Sequence, residues 1–131
     1  MSAEIRWKQR YQNFERVFHN LNKALAKPDL SELERAGVIQ IYQISFELAW
    51  KMLKDYLEEH EVIVKFPRET IKEAFKYDLV EDGELWLDML QKRNLMAHTY
   101  DETVANLAFT LIANSYFHAL KQVYMKLGAE R

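Results

Sequence analysis

Trp7, Tyr11, Phe14, Phe18, Leu21 and Leu25 recur at alternating spacings of four and three. That rhythm lines them along one seam of a helix predicted from about Glu4 to Ala26. "KPDLS" closes it. Pro28 discourages further helix, and Ser31 with Glu34 three residues on forms a capping box for the next. The second helix is predicted from about Glu32 to His60, and its apolar arc is far wider than one stripe. Ile41, Ile44, Leu48 and Met52 form one side, and Phe46, Ala49, Trp50, Leu53 and Leu57 continue it. Gln40, Gln43, Glu47, Lys51, Lys54 and Glu58 make the remaining polar strip. A helix this apolar is covered on more than one side, either by its own bundle or by a second subunit.

"EVIVKFP" is short and β-branched, which suits an extended connection. A short helix follows from about Arg68 to Tyr77, burying Ile71, Ala74 and Phe75. Asp82 is placed to cap a helix running to about Ala97, with Leu85, Trp86, Met89, Leu90 and Met96 inward. Asp101 or Thr99 caps the last helix, about Glu102 to Leu127, and Gly128 suits the C′ position. The expectation is an all-α protein: an up-and-down four-helix bundle with one short additional helix.

Composition agrees. The 131 residues suit one domain, and 49% are apolar, with only 3 Gly and 2 Pro. A net charge of −2 supplies no chain-wide positive field, so any nucleic-acid contact needs a local basic patch. Cysteine is absent, which excludes disulfides, thiolate catalysis and Cys-based zinc sites. The N-terminal stretch lacks a signal-peptide core, and no run approaches the roughly 20 apolar residues of a membrane span. A cytoplasmic protein with no membrane partner is expected. His19, His60 and His118 have no ligand partners at metal spacing, so no metal site and no cofactor are read.

The candidate chemistry lies in "RNLMAHTY", residues 93–100. Arg93 falls at the angle of its helix's apolar side, among Trp86, Met89, Leu90 and Ala97. It must snorkel, pair with an acid or bind a ligand. His98 is five residues on, about 140° around an ideal helix. The two side chains converge only if the helix stops near Ala97, or if two subunits each contribute one. A neutral imidazole can take a proton near neutral pH, and a guanidinium can hold a phosphoryl group through two hydrogen bonds. Together they suffice, without metal, to help a ribose 2′-hydroxyl attack its neighbouring phosphate, with Asn94 orienting either group. The spacing alone equally describes a snorkelled arginine and a capping histidine.

The wider sequence resembles the HEPN superfamily, and within it the nucleotidyltransferase substrate-binding branch that includes HepT-type toxins. "SFELAWKMLKDYL" (Ser45 to Leu57), "FPRETIKEAF" (Phe66 to Phe75), "DGELWLDMLQKRN" (Asp82 to Asn94) and "HTYDE" (His98 to Glu102) are similar to that branch's recurring blocks, in its order. The Arg-x4-His-x-Tyr signature is matched at Arg93, His98 and Tyr100. The resemblance implies a dimeric helical bundle whose dimer brings two Arg/His sites together in a cleft. It implies a metal-independent ribonuclease with Arg93 and His98 catalytic and RNA as substrate. It also implies a small nucleotidyltransferase as partner, which silences the toxin by transferring AMP to Tyr100. The other description of the branch makes the helical protein the substrate- or nucleotide-binding subunit of a two-protein nucleotidyltransferase. A scaffold without activity keeps the same bundle.

Gln43, Glu47 and Lys51 are expected to line the cleft, the last two within a recurring block and Gln43 just before it. Glu47 and Lys51, one turn apart, equally suit a solvated ion pair. Arg68, Lys72 and Lys76 step along the short helix as a solvated face or a guide for phosphates. Trp7, Trp50 and Trp86 read as core or interface anchors.

Overall fold

The computed structural model describes residues 2–131, apart from the side chain of Ala3. Helix α1 (Ala3–Ala26) packs along α2 (Glu32–Glu59). The shorter α3 (Pro67–Lys76), α4 (Gly83–Gln91) and α5 (Arg93–Met96) follow. A last rod comprises α6 (Glu102–Leu111), a π turn (Ile112–Tyr116) and α7 (Phe117–Gly128), and it packs against both α1 and α2. The chain is all-helical among its described residues, as its apolar periodicity requires.

Local chemistry sets the boundaries. Ser2 accepts from the Ile5 amide at 3.2 Å to start α1. The Ser31–Glu34 capping box is formed in both directions, and Asp82 and Asp101 cap α4 and α6. Asp29, Glu61 and Asp78 have φ of 54°, 65° and 62°, reversing the chain after α1, α2 and α3. The seam of α1 is buried at Trp7, Tyr11, Phe14, Phe18 and Leu21, against Tyr42, Phe46, Leu53, Tyr116 and Leu120 of the common core.

Glu34 also pairs with Lys27. That cation, then the Ser31 amide, pull its carboxyl down to about 2 from an ordinary value of 4.5. The folded state therefore holds this carboxylate more strongly than the unfolded chain does. Its contribution is present above about pH 4.5 and disappears as pH falls toward 2. A series of melting curves is expected to show the parent losing its advantage over Glu34→Gln across that window. A constant gap between the two proteins at every pH would contradict this.

Several expectations are corrected. The helix expected from Asp82 to Ala97 breaks at Lys92, whose φ of −86° and ψ of 9° lie in the bridge region. Unbroken, it would bury Arg93 directly in line with Trp86 and Met89. The break turns Met96 into the core and releases Arg93 toward α2. The last helix is also not uniform. The Phe117 amide bonds to the Ile112 carbonyl, a wider turn that brings Ile112, Tyr116 and Phe117 all inward. It aims the Tyr116 hydroxyl at Asp88 Oδ2, 2.5 Å away.

Phe75 is 52% exposed rather than buried, and it lies over Gly83, where a Cβ would come within 3.0 Å of its ring. Gly128 is the last helical residue without positive φ, not a C′ reversal. Its hydrogen makes room for the Tyr11 hydroxyl, which a Cβ would approach to 2.6 Å. Along the expected apolar side of α2, Met52 is buried and Ile41 and Leu48 are half-buried, while Ile44 is exposed.

Candidate functional site

Arg93 begins α5 just past the break, and its guanidinium Nη2 donates to Glu47 Oε1 on α2. The pairing with an acid is thus realised across 46 residues of sequence. Glu47 does not pair with Lys51. Its second oxygen, Oε2, accepts from the Trp50 indole Nε1 at 2.9 Å. Trp50 is a core residue whose one polar atom ends on this carboxylate. Sequence reasoning takes Trp50 only as an apolar anchor. The Glu-x-x-Trp spacing, one helical turn, is the signal that joins it to Glu47.

Arg93, Glu47 and Gln43 share the mouth of a recess of about 180 Å³, walled by Tyr42, Phe46, Met89 and Met96. The four walls are buried, so the recess is a narrow notch with its polar groups at the rim. The Tyr42 hydroxyl is buried and has no hydrogen-bond partner among the described residues. Burial above all, then the nearby Tyr116, Asp88 and Glu47, hold it well above the usual phenol range. It is therefore a neutral donor at any physiological pH. Asp88, also nearby, is held below its ordinary value by Lys92 and then by the Tyr116 hydroxyl.

The remaining site residues follow on the same short segment. The Asn94 side chain is exposed, and the Asn94 backbone carbonyl accepts from the Ala97 amide at 3.2 Å. The chain turns over residues 97–100 instead of continuing as helix. His98 lies in that turn, exposed, with its ring edge-on to Tyr100 at 5.9 Å between centroids. Tyr100 is 88% exposed. Asp101, capping α6 through the Thr103 and Val104 amides, fixes where the turn ends. Within one chain no side-chain hydrogen bond joins Arg93 to His98. Lys51 lies outside the recess.

The segment thus offers a guanidinium with most of its donors free, an accessible imidazole and an accessible phenol. No three His, Asp or Glu among the described residues gather as metal ligands. A larger hollow of about 740 Å³ lies between the α1–α2 link and the last rod. Lys27 there pairs with Glu34 and Arg35 donates to the Leu30 carbonyl.

Residues 9–129 match the family described as nucleotidyltransferase substrate binding protein like. The chain belongs to this family. A curated relative, the probable ribonuclease HepT of Haemophilus influenzae, is 29% identical over 82 residues, 59% of this chain and 56% of that protein. The match therefore spans little more than half of the relative's length. Among solved structures, a Thermus thermophilus protein superposes with a TM-score of 0.78 at 31% identity, covering 90% of this chain and 98% of the other. Haemophilus influenzae HI0074, described as having the fold of a substrate binding domain of a nucleotidyltransferase, gives 0.77 at 20% identity with the same coverage. That last likeness supports the helical fold alone. No helix among the described residues is long and apolar enough to cross a membrane.

Proposed function

We propose that this nucleotidyltransferase substrate-binding family member is a metal-independent endoribonuclease, paired with a small nucleotidyltransferase that restrains it. The observation that carries this reading is the accessible His98 turn directly following an Arg93 whose guanidinium is oriented but not enclosed. His98 takes the proton of a ribose 2′-hydroxyl, and the 2′-oxygen attacks the adjacent phosphorus. Arg93 holds the phosphoryl oxygens as charge builds on them, and Asn94 supports the pair. A 2′,3′-cyclic phosphate forms, and the 5′-oxygen leaves with a proton. In-line displacement puts entering and leaving oxygens on opposite sides of phosphorus. A second imidazole, from a second copy of this chain, is the natural acid.

Expression of the chain without a nucleotidyltransferase tests this. Growth arrest with RNA fragments ending in cyclic phosphate is expected. A harmless protein that binds nucleotide would instead favour the second reading, a non-catalytic substrate-binding subunit. The family description motivates that alternative.

A dimer is motivated by Leu33, Ile44 and Leu107, which are 83%, 44% and 49% exposed along α2 and α6. Light scattering at micromolar concentration is expected to return twice the chain mass. A monomer there would remove the shared-cleft arrangement.

Tyr100 is the proposed point of control. Its exposed hydroxyl attacks the α-phosphorus of ATP held by the nucleotidyltransferase, forming a tyrosyl-AMP ester, releasing pyrophosphate and giving up its proton. Incubation with that enzyme and ATP is expected to add the mass of AMP and stop RNA cleavage. If Tyr100→Phe still gains the mass, another residue is the acceptor.

A further inference from the structure

We propose that Trp50 and Glu47 form a positioning relay that keeps the Arg93 guanidinium oriented and its fork open for a phosphate. The inference rests on reading Arg93 as the phosphate-holding group. It concerns two residues to which that reading gives no direct role.

The argument starts from donor and acceptor counts. A guanidinium has five N–H donors, and a carboxylate has two oxygens well matched to two of them. Left alone, Glu47 would take Arg93 by both oxygens and close the fork that a phosphate needs. It does not, because Oε2 is already engaged by the Trp50 indole at 2.9 Å. Only Oε1 meets Arg93, and only at Nη2. No other Arg93 donor has a side-chain acceptor among the described residues. Trp50 is buried, so its N–H cannot turn to water, and it sits one turn from Glu47 on the same rigid helix. A carboxylate is also the one side-chain group that suits both neighbours. An amide has a single oxygen, so glutamine at this position cannot give the indole and the guanidinium an acceptor oxygen each.

The test separates this from a plain packing role for Trp50. Affinity is measured by titration with a 2′-O-methyl single-stranded oligonucleotide, which cannot be cleaved, and turnover with the matching RNA. Trp50→Phe keeps the ring but loses the N–H. Glu47 then closes on Arg93, and oligonucleotide affinity is expected to fall roughly tenfold, the loss of one good charge-assisted contact. Glu47→Gln keeps the fork open and removes a negative charge beside it, so affinity is expected not to fall. Its kcat is expected to fall about tenfold, because the guanidinium is less well oriented. The decisive protein is the double variant. Trp50 acts through Glu47, so adding Trp50→Phe to Glu47→Gln is expected to change nothing further.

An equal loss from Trp50→Phe in both backgrounds would make Trp50 structural and overturn the relay. So would Trp50→Phe binding like the parent, or Glu47→Gln cleaving faster than the parent, since Glu47 would then merely withhold Arg93. A parent that binds the oligonucleotide but cleaves no RNA ends the ribonuclease reading and leaves the relay standing. A parent that does neither ends both.

Discussion

His98→Ala is expected to lower RNA cleavage by about 10³-fold, and Arg93→Ala by a similar factor, with little change in stability. The magnitude follows from the roles. A positioned general base contributes roughly 10²–10⁴ in rate. A group that stabilises developing charge contributes roughly 10²–10³. Stability is spared because both side chains are exposed and the Arg93–Glu47 pair is open to water. Surface pairs of that kind are worth about 0–1 kcal/mol. Arg93→Lys is the sharper variant. It keeps the charge but presents no planar fork, so it is expected to recover less than a tenth of parent activity. Initial rates on a fluorescent RNA, with melting temperatures measured alongside, check all three. His98→Ala or Arg93→Ala cleaving at the parent rate would remove the residue concerned from the reaction.

What the sequence made legible was local. The α1 seam, the Ser31–Glu34 box and the Asp82 and Asp101 caps each depend on residues within a turn or two of one another, and each is realised. The break at Lys92 and the π turn were not legible, because neither has a local cause. Nothing in "LQKRN" forbids helix. Continuing it would carry Arg93 to the core side, in line with Trp86 and Met89. The π turn adds its extra residue where Tyr116 reaches Asp88 on another helix.

The same division runs through the site. That Arg93 had to snorkel, pair with an acid or bind a ligand followed from its place on an apolar face. That the acid is Glu47 depends on how α2 lies against α5, which the local pattern does not state. Gln43, Glu47 and Lys51 share the polar strip of α2 and were expected to line the cleft as one group. The recess takes the first two and leaves Lys51 out. Bulk and apolarity mark Trp50 as an anchor in the sequence, but its N–H, the atom that matters beside Glu47, gives no such signal.

Arg10→Ala is expected to destabilise the fold by about 3 kcal/mol, far more than any change at the site. Asp55 on α2 is 2% exposed, and its carboxylate accepts from Arg10 Nε on α1 at 2.8 Å. Removing the guanidinium leaves a charge in the core with no cation. Breaking a buried pair in this way costs about 3–5 kcal/mol, and the low end applies because the Arg10 side chain is itself 35% exposed. The reverse change is not equivalent. Asp55→Ala frees an arginine that can reach water, so a smaller loss, about 1–2 kcal/mol, is expected. Replacing both at once, Arg10→Met with Asp55→Leu, removes the uncompensated charge and is expected to recover most of the stability lost in Arg10→Ala. Urea midpoints at unchanged slope measure each step. Equal losses for the two single changes would mean that the α1–α2 pair acts through packing, with no part played by the buried carboxylate.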